Sequence, residues 1–497
     1  MFDILIIGAG ICGTSIAREL TRFKLKIALV DKENDVSNGT TKANSAIIHA
    51  GYDPKPGTLM AELNSRGNPM FDTLCSRLQV PFKRIGSLVL AFNDTDLKTL
   101  GKLYKQGIQN RISKMEIIDR DQLRNLEPEI NPAAIGALYA QTAGIVGPWE
   151  LAIALAENAI DNGAELYLNS PVVSINKVDK VFTVTTDSAQ FRSKVVINCA
   201  GVQADKINNL IAPPEFKIMP RRGEYYVLDK TAGKMVRHVV FQPPGDLGKG
   251  VLVTPTVHGN VLIGPNSERV SRDDAIETTA QGLEYIQKTA QQSFTNIPLH
   301  QTINIFAGLR AEPDTGDFII AESPTVKGFI NIAGIKSPGL SAAPAIAEKV
   351  VGIVDSILPA LKPNQDFIET RREIIHFAEL SDKAKARLIK KDPRYARIIC
   401  RCENITEGEI VDAIHRNAGA TTVDSVKRRV RPGTGRCQGG FCMPRVIEIL
   451  AREQNQEMDN ILKDGLNSPV LTGMTKSEEI RESEPAFTAP QLKEVEC

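Results

Sequence analysis

The sequence predicts an α/β protein in which a Rossmann-like dinucleotide-binding unit is followed, far downstream, by a small, mostly helical domain built around cysteines. Two observations predict it. Near the start, an apolar strand runs into a Gly-x-Gly-x-x-Gly turn, a helix, a second strand and an acid. Near the other end, four of the eight cysteines cluster as Cys-x-Cys and Cys-x₄-Cys.

In the first unit, Ile4-Leu5-Ile6-Ile7 is a short continuous apolar run of the kind a fully buried parallel strand requires. Gly8, Gly10 and Gly13 follow in the glycine turn, and Thr14 to Phe23 reads as a helix with Ile16, Ala17 and Leu20 on one face. A second strand from Lys26 to Val30 ends at Asp31. The glycines permit a tight turn and close backbone approach to a pyrophosphate, which then faces the helix N-terminus. Asp31 is placed to accept hydrogen bonds from a ribose. Cys12, inside the turn, reads as a small packed residue. A second glycine-rich stretch, Gly433 to Gly439, follows no apolar strand, so one dinucleotide site is expected. These residues alone leave open whether the nucleotide is a flavin or a nicotinamide.

Length and composition bound the rest. The chain has 497 residues, room for about three to four domain-sized units or two large ones. Hydrophobic residues make up 42% and charged residues 24%, as in ordinary globular proteins. A net charge of +1 gives no whole-protein field for nucleic acid or an acidic membrane, so no nucleic-acid partner is expected. The run Ile4–Ile7 is too short for a signal sequence. The longest apolar candidate for a membrane span, Leu340 to Val354, is interrupted by Glu348 and Lys349. We therefore expect a cytoplasmic protein without a transmembrane segment, reaching the inner face of a membrane only through a partner. In a reducing compartment, clustered cysteines point to metal or redox chemistry rather than disulfides.

Three further segments carry a resemblance. Val195-Val196-Ile197-Asn198-Cys199-Ala200-Gly201 is an apolar strand running into Ala-Gly, Pro171-Val172-Val173 opens another strand, and Gly334-Ile335-Lys336-Ser337-Pro338-Gly339-Leu340 is a glycine-rich loop before a long helix. With the first unit, they make residues 1–355 resemble the D-amino-acid-oxidase-like flavoproteins, and among them the glycerol-3-phosphate oxidases and dehydrogenases and the L-2-hydroxyglutarate oxidases. The resemblance implies FAD, and a Rossmann-like FAD-binding domain interleaved with an antiparallel-sheet substrate domain. It implies flavin contacts from Val173, Ala200, Gly201, Gly334, Gly339 and Leu340 beside Gly8, Gly10, Gly13 and Asp31.

The candidate active site begins at Thr40-Thr41-Lys42-Ala43-Asn44-Ser45-Ala46-Ile47-Ile48-His49. Small side chains, Thr40 and Thr41 among them, let backbone lie against a planar ring. A histidine there suits a general base near neutral pH, although a lone histidine is more often structural. The resemblance makes His49 the catalytic histidine and Ser45 and Ser337 nearby polar contacts. Arg310 has the planar fork that suits a carboxylate or phosphate; the resemblance makes it the anion clamp, aided by Lys249. His258, in Thr256-Val257-His258-Gly259-Asn260, reads as a structural turn residue. Gly147 stands where many relatives carry Asp. The implied reaction is oxidation of a small anionic secondary alcohol by hydride transfer to flavin. It turns glycerol 3-phosphate into dihydroxyacetone phosphate or, alternatively, L-2-hydroxyglutarate into 2-oxoglutarate. The electrons then pass to an acceptor protein, a quinone or oxygen. A redox-sensing or electron-transfer subunit of a larger complex is the reading from a different class.

Residues 356–395 become more charged and read as a linker, with a boundary at Leu361–Gln365. In 396–455, Thr406 before Glu407 and Glu409 suits a helix N-terminus, another helix starts at Thr421–Lys427, and a third is expected over 445–452. Cys400 and Cys402 are followed, after 34 residues, by Cys437 and Cys442. Four thiolates suit a [2Fe–2S] cluster; zinc is the rival, although zinc pairs usually span two to four residues. The segment resembles bacterioferritin-associated-ferredoxin-like domains, which implies the cluster. Lys427, Arg428, Arg429, Arg431 and Arg436 form a basic run read as a solvated face, as balance for the cluster's charge, or as a dock for an acidic electron partner. No aromatic interleaving favours nucleic acid. Residues 456–497, polar and rich in Glu, Ser, Thr and Pro, are expected to be a loosely ordered tail.

Overall fold

Strand β1 (Phe2–Ile7) lies at the centre of a mixed sheet, parallel to β2 (Ile27–Val30) on one side and to Gln190–Asn198 on the other. Ile4 pairs in register with both Ile27 and Val195. The computed structural model describes residues 1–245 and 250–473. Both faces of β1 are covered, which is why its inner positions are all apolar. On one face, helix α1 (Ile11–Leu20) packs with helices Pro148–Asp161 and Gly339–Ile357 around Ile16, Leu20, Ile153, Ile346 and Val350. On the other, Leu5, Ile7 and Val30 meet Ile175, Phe182 and Val184 of an antiparallel meander. Burying each such side chain contributes about 1.5–3 kcal/mol.

The helix α1 starts three residues before the expected Thr14, because the last glycine of the turn is inside it. A Cβ on Gly13 would overlap the Gly8 carbonyl oxygen, so only glycine lets helix and turn approach this closely.

The second large sheet is mainly antiparallel, as the resemblance implies. Its longest pairing joins Ile218–Leu228 to Thr302–Pro313, with Arg221 opposite Arg310, Gly223 opposite Gly308 and Tyr225 opposite Phe306. Val240, Val253, Val261, Ile263, Leu88 and Leu90 form its core against helix Ala280–Ala290. A small sheet of Ile47–Ile48, Gly144–Val146 and Phe82–Arg84 carries the chain between the two.

The C-terminal domain is mostly helical, as expected. Helices Glu407–Ile414, Val423–Val430 and Met443–Gln454 surround Ile410, Val426, Val446 and Leu450. Thr406 and Thr422 each close a capping box, with Glu409 and Ser425.

Three expectations need correction. The segment 356–395 is not a free linker: Asn158 Nδ2 donates to the Ile368 and Thr370 carbonyls at 3.0 Å each, and buried Arg371 pairs with buried Glu157 at 3.1 Å. The loose tail does not begin at 456, because Ile461 is buried and the Val423 amide donates to the Leu462 carbonyl at 3.1 Å. Apolar Ile461 and Leu462, isolated in a polar stretch, give that segment something to bury. Residues 474–497 lie outside the described residues. Nor is the basic run a solvated face throughout, since Arg428 and Arg429 are buried on carboxylates. Among the described residues, no helix is long and apolar enough to cross a membrane.

Candidate active site

The glycine turn is a cradle that side chains would fill. Gly8 has φ +106°, and a Cβ there would lie 2.4 Å from the Cys199 carbonyl oxygen and 3.3 Å from Ala200 Cα. Gly10 caps α1 without a capping side chain, and a Cβ on it would approach Thr41 Oγ1 at 3.2 Å. That oxygen accepts the Ile11 amide at 3.0 Å. Asp31 accepts the Ala9 amide at 2.5 Å and the Glu33 amide at 2.9 Å. Burial outweighs these bonds and pushes its carboxyl up to about 6. The Asp31 and Glu33 carbonyls accept the Ser170 and Asn169 amides at 2.8 and 2.9 Å, which ties in the strand Val172–Val178. Val173 is the bulged residue of that strand and is exposed. Gly201, with φ +58°, turns the chain just beyond Ala200. Gly8, Gly10, Gly13, Asp31, Thr41, Val173, Ala200 and Gly201 thus gather at the carboxyl ends of the parallel strands, where open α/β sheets bind nucleotides. Burial pushes the Cys12 thiol up to about 12, in keeping with a packed residue.

His49 leaves the small sheet with its backbone held from both sides. Its amide donates to Ser341 Oγ at 2.7 Å, and its carbonyl accepts Asn68 Nδ2 at 2.9 Å and Asn64 Nδ2 at 3.3 Å. Its Nε2 lies 3.2 Å from Ser337 Oγ, and its ring centroid 5.9 Å from that of Phe241. Ser45 Oγ is 3.1 Å from the Tyr225 hydroxyl, and Tyr225 stacks on Phe306 at 4.6 Å.

Arg310 is steered by its Nη2 donating to the Asn266 carbonyl at 3.2 Å, with Nη1 3.5 Å from Ser267 Oγ. A Cβ on Gly223 would lie 2.7 Å from Arg310 Nη2, so glycine opposite makes room for the fork. The strand bearing Arg310 abuts the small-residue loop: Thr40 Oγ1 donates to the Leu309 carbonyl at 2.7 Å, and a Cβ on Gly308 would overlap the Ala43 carbonyl oxygen. Gly334, with φ +67°, turns against Pro313 at the end of the same strand. The Gly339 amide donates to the Lys336 carbonyl at 2.6 Å as the last long helix opens, and Leu340 packs beside Ile48 and Val146. Lys249 lies outside the described residues.

Sequence reasoning missed Tyr225, Ser341, Asn64, Asn68, Asn266 and Ser267. None sits in a spacing pattern; each acts through a contact made across the fold. It also missed Arg221, which faces Arg310 across the sheet and donates from Nη1 to Ser267 Oγ at 3.0 Å.

Gly147 has a physical counterpart. Any side chain there would collide with the Glu150 carboxylate, which folds back over it. Glu150 in turn pairs with His258 Nε2 at 2.9 Å. Burial alone would push the Glu150 carboxyl up, but His258 holds it below the usual range. His258 therefore has a structural partner at its turn. Trp149, the sole tryptophan, keeps a buried indole N–H with no partner among the described residues.

The four clustered cysteines stand as two pairs. Cys402 and Cys437 Sγ atoms are 3.6 Å apart, and Cys400 is hydrogen-bonded to Cys442. Among the described residues, no three His, Cys, Asp or Glu side chains are placed to hold one metal ion. The Cys442 thiol, helped by the Gly433, Glu403 and Cys402 amides, pulls Cys400 down to about 6. The Phe441 and Gly439 amides serve Cys437. A Cβ on Gly435 would lie 2.4 Å from Cys402 Cβ, so the loop is thin where the thiols meet. Paired thiols ringed by backbone donors are the ligand set a [2Fe–2S] cluster asks for.

Residues 3–352 match the family of FAD dependent oxidoreductases, and residues 398–452 match the BFD-like [2Fe–2S] binding domain. The chain is 57% identical over 478 residues to a glycerol 3-phosphate dehydrogenase of Caloramator mitchellensis, covering 96% of this chain and 100% of that protein. It is 34% identical to a glycerol 3-phosphate oxidase of Mycoplasma pneumoniae, covering 73% of this chain and 96% of that one. The structure of dithionite-reduced L-alpha-glycerophosphate oxidase from Mycoplasma pneumoniae, with FAD bound, superposes with a TM-score of 0.71 at 30% identity, covering 74% of this chain and 98% of that one. This chain, with its nucleotide cradle and its paired thiols, belongs to the FAD-dependent oxidoreductases and carries a BFD-like [2Fe–2S] domain behind the flavin domain.

Proposed function

We propose that the protein oxidises glycerol 3-phosphate to dihydroxyacetone phosphate. The observation that carries this reading is a serine-held imidazole, His49 with Ser337, served by the same loops that abut an arginine-bearing sheet face. Arg310 and Arg221 are cross-strand partners, so their side chains share that face. Arg221 is already paired with Glu312 at 3.0 Å, whereas Arg310 has no carboxylate partner among the described residues. Arg221, Arg310 and Lys336 stand against Glu312, which leaves net positive charge for a small anion such as a phosphate. The names of the 57% and 34% identical relatives agree with that choice.

In this reading Arg310, with Lys249, binds the phosphate. Ser45 and Tyr225 orient the carbon chain. His49 Nε2 takes the proton of the secondary hydroxyl, and Ser337 fixes the ring for that transfer. FAD, held by the cradle of Gly8, Gly10 and Gly13, supplies the hydride acceptor. Cys400, Cys402, Cys437 and Cys442 would hold the cluster, which would supply one-electron transfer toward an acceptor protein, and Cys402 is the exposed member of the four. We set the reaction in the cytoplasm, where reducing conditions keep the four thiols free to ligate.

Anaerobic titration with glycerol 3-phosphate and, separately, with L-2-hydroxyglutarate tests this. Bleaching of the yellow absorbance by the first alone is the expected result. Bleaching by the second alone would assign the site to hydroxy acids, and bleaching by neither would favour a redox sensor or electron-transfer subunit.

Asp31 adds a pH dependence. A ribose donating to its carboxylate favours the charged form, whereas burial in the apoprotein favours the neutral one. FAD binding therefore releases a proton below about pH 6, and affinity should fall by up to about tenfold per unit as pH drops from about 6 toward 4. Apoprotein stability runs oppositely, since the burial cost is absent below the ordinary carboxyl range and full above about pH 6. Titrating FAD fluorescence quenching at several pH values should give this slope, and Asp31→Asn should flatten it.

A further inference from the structure

Residues 34–42, between β2 and the small sheet, form a loop with a different partner on each side. On the flavin side, the Ser37 amide donates to the Ala9 carbonyl at 2.9 Å, Thr41 Oγ1 accepts the Ile11 amide, and Thr40 Oγ1 donates to the Leu309 carbonyl. The loop thus touches the glycine turn, the start of α1 and the strand of Arg310.

On the other side it meets the cluster domain. The buried Asp35 carboxylate accepts Arg429 Nη1 at 2.9 Å and Nη2 at 2.8 Å, and Arg428 Nη2 at 3.0 Å. Asp464 extends the clamp: it pairs with Arg428 at 2.9 Å and Lys42 at 3.1 Å, and its carbonyl accepts Asn34 Nδ2 at 2.7 Å. Among the described residues, the only cations paired with Asp35 are these two arginines of the cluster domain. Burial alone would push the Asp35 carboxyl up, and the guanidiniums of Arg429 and Arg428 hold it low. Both arginines sit in helix Val423–Val430, which runs straight into the cysteine loop. There Arg431 pairs with Glu403 at 3.3 Å, and the Gly433 amide serves the Cys400 thiol. Hydrogen bonds and a short helix therefore connect the first cysteine to Thr40 and Thr41.

We propose that Arg428 and Arg429 are positioning residues for the flavin, holding the 34–42 loop in its binding form, so that loading of the cluster and retention of FAD are coupled. The physical reason is the buried charge. If the cysteine loop loosens and the helix shifts, Asp35 is left buried and unpaired, and the loop must open to hydrate it. Opening moves Thr40, Thr41 and the contact at Ala9, which frees the nucleotide. Coupling is reciprocal, so bound FAD also favours the loaded cluster domain. This rests on the FAD reading of the site and adds to it a dependence that runs between the two domains.

The test measures FAD release from the full-length, cluster-loaded protein under anaerobic conditions, as the rise in free flavin fluorescence. Iron content and visible circular dichroism report the cluster in parallel. Arg429→Ala is expected to release FAD roughly tenfold faster, a factor typical of coupled sites, before any iron is lost. Chelating iron from the wild-type protein should accelerate release by a similar factor, and should add nothing in Arg429→Ala. Arg429→Lys should recover part of the retention, because it restores the charge without the fork. Should Arg429→Ala fail to fold, Asp464→Asn, nearer the surface, is expected to speed release about threefold. Unchanged release in the folded variants, or in wild type stripped of iron, would overturn the coupling while leaving the flavin reading intact. Protein that purifies colourless and takes up no FAD would overturn both.

Discussion

Replacing His49 with Ala yields a folded, yellow protein whose flavin is reduced by glycerol 3-phosphate about 10²–10⁴-fold more slowly. The size of the effect follows from the role. A positioned base contributes that range, and among the described residues no other imidazole is hydrogen-bonded to Ser337. The protein should fold because the contacts that hold this stretch come from the backbone: the His49 amide on Ser341 and the His49 carbonyl under Asn68 and Asn64 survive the substitution. Besides the base, the substitution removes the contact with Ser337 and the ring contact with Phe241. The check is rapid-mixing anaerobic reduction with flavin content measured on the same sample. Added imidazole should restore part of the rate, whereas full rate without it would remove His49 as the base.

Arg310→Ala is expected to lower kcat/KM by about 10²-fold or more, since losing one partner of a desolvated charge pair costs about 2–5 kcal/mol. Most of the loss should fall on KM, with a smaller share on kcat because a loosely held substrate samples poor geometries. Arg310→Lys should recover only part, since a point charge on a flexible stem does not reproduce the fork held by Asn266 and Ser267. Arg221→Ala should have a weaker effect, because that guanidinium already belongs to Glu312. Steady-state kinetics with all three variants gives the order. A wild-type KM in Arg310→Ala would move the anion site elsewhere.

The parts of this molecule that were legible in the sequence are those written in local spacing. The run Ile4–Ile7, the glycines at 8, 10 and 13 and the acid at 31 lie in one short stretch, and they fold as one unit. The cysteine spacing likewise announced a set of four thiols, although the folded pairs, Cys402 with Cys437 and Cys400 with Cys442, each take one member from either motif. What stayed hidden was carried by contacts between distant residues. Asp35 reads as one more loop acid, and only folding brings Arg428 and Arg429 onto it. The same contact explains why part of a basic run that looked solvent-facing is internal. Arg371 and the Ile368 and Thr370 carbonyls look like linker until Glu157 and Asn158 take them up. In the site, His49, Ser45 and Arg310 came from resemblance to known flavoproteins. Tyr225, Asn266 and Ser341, which hold them, have no motif of their own.

Breaking of the C–H bond at the carbon bearing the secondary hydroxyl is the step on which every role assigned here depends. Anaerobic rapid mixing of the wild-type protein with glycerol 3-phosphate, either unlabelled or deuterated at that carbon, measures it directly. Deuterium is expected to slow flavin bleaching severalfold at saturating substrate, because the bond to be broken is the labelled one. Equal rates with the two substrates, or a flavin that neither one bleaches, would contradict those roles.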